Sequence, residues 1–424
     1  MSSFVLKGDI CYSISKDTLK TIKNGYCVCE NSLCQGVFEK LPEIYKNLQL
    51  YDYEGKLIIP GLIDLHTHAP QFSFRGLNMD CELIDWLNNN AFSEEAKFSN
   101  LDYAEKAYSI FSDALKNSAT TRACIFATLH KEATKTLMDK MEKTGLVSFV
   151  GKVNMDRNSP GNLCEESADI SAKTTQEWIE NSINKYKNTY PILTPRFIPS
   201  CSDELMKKLK ALQQKYNLPV QSHLSENKDE IKWVSELCPD SKSYGDAYNS
   251  FSLFGKDAKT VMAHCVYSSD SEVELMKENG VFVAHCPASN TNLSSGIAPV
   301  RSYLDKGLKV GLGSDVAGGH SLSLFRAISD TVQMSKLYYR LVDASAKPVT
   351  FSEAFYLASK GGGEFFGEVG SFEKGYEFDA VVIDDSILPH PQELTVSERL
   401  ERAIYLNADF SGIKAKFVRG NKVI

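Results

Sequence analysis

The sequence predicts an α/β protein in which a (β/α)8 TIM-type barrel is joined to a small composite β-sandwich domain made from both ends of the chain. Eight strand-like apolar segments alternate with amphipathic, helix-like segments through the middle of the chain, a pattern typical of a closed parallel barrel. Both ends contain short strands separated by turn residues. Histidine and aspartate side chains fall where several central strands end, and this edge of a barrel carries its chemistry.

Short strands occupy residues 1–59 and recur at the far end of the chain. The first set, separated by polar or glycine-containing breaks, covers residues 4–6, 9–14, 25–29 and 48–53. Near the other end, residues 379–384 form a predicted strand and residues 416–424 a predicted hairpin around a Gly-Asn turn. Neither set is large enough for a strong core of its own. We therefore expect residues 1–59 and 370–424 to form one discontinuous β-sandwich domain.

The central part, residues 60–369, is predicted to be the catalytic barrel. Its eight strand-like segments are residues 62–68, 119–126, 147–154, 192–199, 219–226, 260–267, 281–289 and 309–316. The connections carry a helical period of apolar residues, as in residues 203–212. The connection over residues 69–118 is too long for a plain link. We expect part of it to fold over the barrel mouth as a lid.

Composition and charge exclude several classes of protein. Lys and Arg number 47 against 54 Asp and Glu, and the net charge of −7 argues against nucleic-acid or anionic-membrane partners. The eleven cysteines are scattered, and Cys27, Cys29 and Cys34 lack a second pair that could close a zinc ribbon. The first residues lack the pattern of a secretory signal, and no apolar run approaches the roughly 18 residues of a membrane span. We expect a cytoplasmic protein that binds a small molecule.

Candidate metal ligands stand at the ends of the predicted strands. His66 and His68 are two residues apart on the first strand, so their imidazoles point to the same face. The ends of strands five, six and eight carry His223, His264 and Asp315. The alternative is that these residues only pack the barrel, but buried groups of this kind are rarely left unpaired. We therefore expect them to converge at one mouth of the barrel, where the paired imidazoles of His66 and His68 can reach one metal ion.

These residues carry a resemblance to a known family. The segment Pro60-Gly61-Leu62-Ile63-Asp64-Leu65-His66-Thr67-His68, together with the later histidines and Ser314-Asp315, resembles the amidohydrolase superfamily. Longer motifs are similar to those of the guanine deaminases. They are His68-Ala69-Pro70-Gln71, Trp86-Leu87 with Phe92 and Glu95, Thr194-Pro195-Arg196-Phe197, and residues 222–227, 284–287, 292–296 and 311–319.

The resemblance implies a zinc-dependent barrel, usually a homodimer, that converts guanine to xanthine and ammonia. It implies metal ligands at His66, His68, His223 and Asp315. It implies a proton-shuttling glutamate at Glu226 and a histidine beside the reactive water at His264. It implies substrate contacts from Gln71, Arg196 and Phe197, with His223 and Glu226 also facing the substrate. The end of strand four carries arginine where two-metal members have a bridging lysine, so one metal per chain is expected.

The chemistry of these residue types agrees with the resemblance. Three imidazoles and one carboxylate suit Zn²⁺ with a position left for water, although Fe²⁺ would also accept them. Zinc lowers the pKa of bound water from 15.7 to about 7. Glu226, three residues beyond His223, can pass a proton from this water to N3 of guanine while hydroxide attacks C2. Asp315 can accept a proton, and His264 can orient the hydroxide and stabilise charge.

The residues of the predicted pocket also favour guanine as the substrate. Arg196 ends strand four on the mouth side, and an unpaired arginine in a pocket calls for an acceptor. The O6 and N7 edge of guanine offers two adjacent acceptors, and Gln71 can bind the other side of the ring. The alternative is a structural salt bridge for Arg196 at the barrel rim.

Two other functions remain open at this point. One is a related amidohydrolase that deaminates cytosine, a pterin or a triazine. The other is an inactive barrel scaffold, because fold alone does not imply function. The Pro-Cys-x-x-Cys signature of the deaminases that act on nucleic acids does not occur in the sequence.

Overall fold

The computed structural model describes residues 3–406 and 412–424 of the chain. Its strands are β1 (Phe4–Ser15), β2 (Thr18–Glu30), β3 (Leu33–Phe38), β4 (Gln49–Pro60), β5 (Leu62–His68), β6 (Thr120–Phe126), β7 (Val147–Gly151), β8 (Val153–Asn154), β9 (Thr189–Pro191), β10 (Thr194–Pro195), β11 (Val220–Leu224), β12 (Thr260–His264), β13 (Phe282–His285), β14 (Lys309–Leu312), β15 (Ala380–Ile383), β16 (Ile413–Val418) and β17 (Asn421–Lys422).

The α-helices connect these strands and cover the central sheet. They are α1 (Leu83–Trp86), α2 (Phe92–Ala96), α3 (Leu101–Asn117), α4 (Lys131–Thr144), α5 (Ala168–Ser182), α6 (Asp203–Tyr216), α7 (Lys228–Leu237), α8 (Tyr244–Ser250), α9 (Asp270–Asn279), α10 (Pro287–Asn292), α11 (Val300–Lys306), α12 (Leu324–Leu341), α13 (Phe351–Tyr356) and α14 (Val396–Leu406). Among the helices described, none is both long and apolar enough to cross a membrane.

The central sheet confirms the predicted barrel. Its eight strands follow the order β11-β12-β13-β14-β5-β6-β7-β9, and neighbouring strands run parallel. A parallel bridge between Leu193 and Val220 joins the two ends of this order, and the Gln221 N–H donates to the Leu193 carbonyl at 2.9 Å. The carboxyl ends of all eight strands therefore meet at one mouth.

The fourth barrel strand differs from the predicted segment 192–199. The sheet pairing begins earlier, at Thr189, and β9 ends at Pro191. The chain then pairs β10 with β8 in a separate two-stranded sheet. Pro191 and Pro195 have no amide N–H, so neither can donate to a continuous ladder. The predicted boundaries were wrong because the prolines break the strand, while Arg196 still follows its carboxyl end.

The last barrel strands are shorter than predicted because the backbone turns at their ends. Ser225, His264 and Asp315 have φ values of 47°, 75° and 45°, in the left-handed region that non-glycine residues seldom adopt. The ladder stops at Leu224 and Leu312, so Glu226 and Asp315 lie on the segments that leave the sheet. Residues in such conformations are frequent at active sites.

Both ends of the chain share one sheet. Seven strands follow the order β17-β16-β15-β4-β1-β2-β3, with β1 and β4 parallel and the other neighbours antiparallel. One face buries an apolar cluster that includes Phe4, Ile58, Phe378 and Phe417. The sharing of a sheet agrees with the expected pairing of the termini, and the two-layer sandwich stays a prediction.

Charged side chains join this terminal sheet to the barrel. Arg122 near the start of β6 pairs with Asp379 at 2.8 Å and with Glu377 at 2.6 Å. The Lys416 ammonium donates to the Thr120 carbonyl at 3.0 Å. Arg122, Asp379 and Lys416 are all buried, so these contacts are shielded from water and fix the sheet against the barrel.

The long connection after β5 supplies one wall of the barrel mouth. It contains a 3-10 turn at Ala69–Phe74, helix α1, a π turn at Leu87–Ala91 and helix α2. The following helix, α3, is capped by the Asn100 side chain and buries its apolar stripe in the main core. The short helices before α3 place Leu83, Trp86 and Leu87 against the central cavity.

Candidate active site

A cavity of about 440 Å³ opens at the carboxyl ends of the barrel strands. One part of its wall is apolar and aromatic, and another carries titratable groups. The lining residues are His68, Gln71, Leu83, Trp86, Leu87, Arg196, Phe197, His223, Glu226, Glu230, His264, Leu293, Asp315 and Gly318.

Four side chains bring ligand atoms together at the base of the cavity. The Nε2 atom of His68 lies 3.2 Å from Nε2 of His66 and 3.2 Å from Nε2 of His223. Oδ1 of Asp315 lies 3.2 Å from His66 Nε2 and 3.4 Å from His68 Nε2. Ligand atoms about 2.0–2.1 Å from a tetrahedral ion are about 3.3 Å apart. These spacings therefore fit a single ion held by the predicted four ligands.

Neighbouring groups orient these ligands. Nδ1–H of His223 donates to the Arg196 carbonyl at 2.7 Å, which leaves Nε2 free as a ligand atom. The buried Asp64 carboxylate accepts from the Ser314 hydroxyl at 2.6 Å and from the His66 N–H at 3.2 Å. The Asp315 N–H donates to the His66 carbonyl at 2.8 Å. Strands β5 and β14 are thus tied together where they present their ligands.

The protonation states suit a metal ion. Burial lowers the pKa of His66, His68 and His223 below the ordinary value for histidine, so the three imidazoles are neutral at neutral pH. Burial alone would raise the pKa of Asp315, but the adjacent histidines hold it below its ordinary value. Three neutral imidazoles and one carboxylate form the ligand set that divalent zinc prefers.

Glu226 and His264 face each other beside the ligand cluster. Oε2 of Glu226 lies 3.3 Å from Nε2 of His264, which in turn lies 3.7 Å from Oδ2 of Asp315. The Ser295 hydroxyl donates to Oε1 of Glu226 at 3.1 Å. Burial raises the pKa of Glu226 to about 7, against the opposing effect of His264. A carboxyl group with this pKa can both accept and release a proton near neutral pH.

Asn290 is a functional residue that the sequence analysis missed. Its side-chain oxygen accepts from Nδ1–H of His264 at 2.9 Å, which fixes the ring orientation and directs Nε2 toward Glu226. Asn290 is buried on the short helix α10 after the seventh strand. Its position just beyond a barrel strand was the one indication in the sequence that it could lie at the active site. A lone asparagine, however, does not form a recognisable metal-binding or catalytic motif.

Replacing Asn290 with alanine is expected to lower kcat about tenfold with little change in KM. The expected loss corresponds to about 1–1.5 kcal/mol for one hydrogen bond. Ser289→Ala is the matched control, because Ser289 is buried on the same helix and its hydroxyl has no partner among the described residues. Steady-state kinetics on both variants tests this expectation. An Asn290→Ala variant with the kcat of the control would show that this bond does not position His264.

Arg196 has a protein partner at the mouth, as in the salt-bridge alternative, and its contact with substrate stays a prediction. The Arg196 guanidinium is paired with Glu95 through Nη1–Oε2 at 2.5 Å and Nη2–Oε1 at 3.0 Å. The Phe92 ring lies 5.1 Å from the guanidinium carbon. The cause is the connection after β5, whose helix α2 places Phe92 and Glu95 on one face. Arg196 nevertheless lines the cavity, as do Gln71 and Phe197.

Two other histidines lie apart from the ligand cluster. His285 ends β13 and is buried, and burial lowers its pKa to about 3. Its Nδ1 atom has no partner among the described residues. His320 is exposed and lines a separate surface groove with Arg75 and Arg326. Neither belongs to the lining of the central cavity in the described part of the chain.

Comparisons with known proteins agree over the whole length. Residues 57–420 match the amidohydrolase family. Guanine deaminase of Dictyostelium discoideum is 36% identical over 99% of this chain and 98% of the relative. Guanine deaminase of Rattus norvegicus is 38% identical over 87% of this chain and 83% of the relative. A crystal structure of guanine deaminase from C. acetobutylicum, with bound guanine in the active site, is similar with a TM-score of 0.96, 46% identity and 100% coverage of both chains.

Proposed function

The chain belongs to the amidohydrolase family, and on this basis we propose that it is a guanine deaminase, which hydrolyses the C2 amino group of guanine to give xanthine and ammonia. The observation that carries the proposal is a single cavity with two unlike walls. One wall gathers the ligand cluster and Glu226, and the other presents Gln71 and Arg196. The 46% identity to a protein whose crystal structure holds guanine supports this substrate. The reaction belongs to purine catabolism.

We propose one Zn²⁺ per chain, with Fe²⁺ as the alternative, held by His66, His68, His223 and Asp315. The proposal is supported by ligand-atom separations of 3.2–3.4 Å. Zinc in such a site supplies a water molecule whose pKa is lowered to about 7. The lysine bridge of two-metal members has no counterpart at the end of strand four, where Arg196 stands.

Glu226 is proposed to carry the protons. Its pKa of about 7 allows it to take one proton from the attacking water and deliver it to N3 of guanine. His264 orients the water through Nε2, and Asp315 Oδ2, 3.7 Å from that atom, accepts the remaining proton. Once C2 has become tetrahedral, this proton passes from Asp315 to the amino group, which then leaves as ammonia.

Gln71, Arg196 and Phe197 are proposed to hold the substrate. The sequence suggested that Gln71 binds the side of the ring opposite Arg196, but Glu95 bonds both side chains, so we propose that both donate hydrogen bonds to the O6 and N7 side of guanine, which offers two acceptors. The Phe197 ring, with Trp86 and Leu293, supplies apolar surface for a flat ring system. His223 and Glu226 complete the side of the cavity where C2 and N3 would lie.

Purified, metal-replete protein is expected to release ammonia from guanine and not from adenine or cytosine. A pterin and a triazine complete the panel, and ammonia is measured for each compound. A site built to bond a polar substrate group can reject an analogue that lacks it by several orders of magnitude. Ammonia from cytosine, the pterin or the triazine but not from guanine would identify a related deaminase. No ammonia from any compound would favour the inactive scaffold.

The proposed assembly follows the family resemblance. We propose a cytoplasmic homodimer in which residues 60–369 form the catalytic barrel and residues 1–59 with 370–424 form the β-sandwich domain. Part of the connection over residues 69–118 is proposed to act as a lid. Support for the lid comes from Leu83, Trp86 and Leu87, which contribute to the cavity wall. No disulfide bond is formed among the cysteines of the described residues, as expected in a reducing compartment.

A further inference from the structure

Glu95 binds both Gln71 and Arg196, the two polar side chains that are proposed to bind the substrate. Its carboxylate pairs with Arg196 at 2.5 and 3.0 Å and accepts from Gln71 Nε2 at 2.8 Å. Glu95, Gln71 and Arg196 are each no more than 3% exposed. Among the described residues, the cavity lining includes Gln71 and Arg196 but not Glu95. Glu95 therefore acts on the cavity only through its two partners.

The Gln71 amide is fixed at both ends. Its Nε2 donates to Glu95, and its Oε1 accepts from the Ala317 N–H at 3.1 Å. Turning the amide over would place its oxygen against the carboxylate and its amino group against an N–H donor. Both new contacts would be repulsive, so Glu95 and Ala317 together fix the amide in one orientation.

This arrangement leaves mainly donors for the substrate. The Gln71 oxygen accepts from the Ala317 N–H, which uses one of its two lone pairs, and the amide has a second N–H besides the one that binds Glu95. A guanidinium has five N–H donors and no acceptor, and Glu95 engages two of the five in Arg196. The wall formed by Gln71 and Arg196 thus offers mainly N–H groups, because the Gln71 oxygen is already bonded to Ala317 and a guanidinium has no acceptor. An oxo group at purine position 6 can accept from it, whereas an amino group there meets donors and leaves buried groups unsatisfied.

We propose that Glu95 determines the preference for a 6-oxo over a 6-amino purine by holding Gln71 and Arg196 as a wall of donors. It is a positioning residue, because it acts through these two side chains. The inference rests on the proposed function. It gives a role to Glu95, which belongs to a motif shared with the guanine deaminases but to which the resemblance assigned no function. It also explains why a carboxylate is buried on the five-residue helix α2, where an unpaired charge would be costly.

The test compares Glu95→Gln with wild type on guanine and on 2,6-diaminopurine. Both compounds carry the C2 amino group, and they differ in the group at position 6. Wild type is expected to favour guanine strongly. In Glu95→Gln the Gln71 amide is free to turn and Arg196 loses its charged partner. We expect kcat/KM for guanine to fall about 10- to 100-fold, mainly through KM, and the ratio between the two substrates to fall at least tenfold.

Glu94→Gln is the matched control. Glu94 is a buried neighbour on the same helix, and it binds Lys97 and Tyr103 rather than the cavity residues. This variant is expected to keep the wild-type substrate ratio. Glu95→Asp retains the charge but shortens the side chain, so it should keep the Arg196 pair, lose the Gln71 contact and give an intermediate ratio. Glu95→Asp also provides the measurement if Glu95→Gln proves insoluble.

The outcomes separate the possible roles. An equal loss on both substrates in Glu95→Gln or Glu95→Asp, with the ratio unchanged, would make Glu95 a structural residue and overturn this inference alone. A wild type that deaminates neither compound would overturn the proposed function and this inference with it. Metal content and the thermal midpoint, measured on every variant, confirm that the compared proteins are folded and loaded.

Discussion

Replacing Glu226 with glutamine is expected to leave the metal in place and to lower kcat by about 10²- to 10⁴-fold, the usual contribution of a general acid–base group. The amide is close in shape to the carboxylate and can still hydrogen-bond the substrate. It cannot take a proton from water or deliver one to N3. Because Glu226 is not one of the four proposed ligands, metal content should stay at the wild-type level.

The measurement combines steady-state ammonia release with elemental analysis. Glu272→Gln is the matched control, since Glu272 is a buried carboxylate that contacts Ser225, the neighbour of Glu226, from outside the cavity. The control is expected to change stability more than kcat. If Glu226→Gln kept most of its turnover, another group would have to move the protons. The position of Glu226 between His264 and Ser295 would then be structural.

The metal cluster could be predicted from the local sequence pattern because closure of the barrel brings the ends of its strands together. His66 and His68 share a face through the two-residue period of a strand. His223 and His264 fall at the ends of apolar segments that pair as neighbours in the sheet. Once eight such strands close into a barrel, residues at these ends must lie together. In the structure, each of the four proposed ligands has a ligand atom 3.2 Å from a ligand atom of another member of the cluster.

The partners of the substrate-binding residues could not be predicted in the same way. Glu95 lies on a helix of five residues inside an irregular connection, where no period of apolar residues indicates which way a side chain points. Its partner Arg196 is 101 residues away in sequence. The pairing depends on how the connection folds over the mouth, which is a tertiary property. Asn290 escaped notice because its contact with His264 joins a loop helix to a neighbouring strand.

Replacing His66 with alanine is expected to remove the metal and the activity together. Only three of the four proposed ligands remain, so bound metal should fall well below the one ion per chain expected for wild type. The activated water is lost with the ion, and with it several kcal/mol of charge stabilisation, so turnover should fall roughly 10³-fold or more. Elemental analysis of wild type also shows whether the bound metal is zinc or iron. Two tightly held ions per chain would contradict the one-metal proposal.

The barrel itself should survive this change, which makes the result interpretable. The core of the barrel and the terminal sheet rest on apolar clusters to which His66 does not belong. Loss of the ion removes its binding contribution to stability, so the thermal midpoint should fall and should no longer rise when zinc is added. His285→Ala is the matched control, because His285 is equally buried at the end of barrel strand β13, two strands from β5, and lies outside the four-ligand cluster. The control should lose stability through the cavity it creates yet keep its metal and turnover. A His66→Ala variant with the metal content of this control would show that the ion is held elsewhere, and the assignment of the whole ligand cluster would then be wrong.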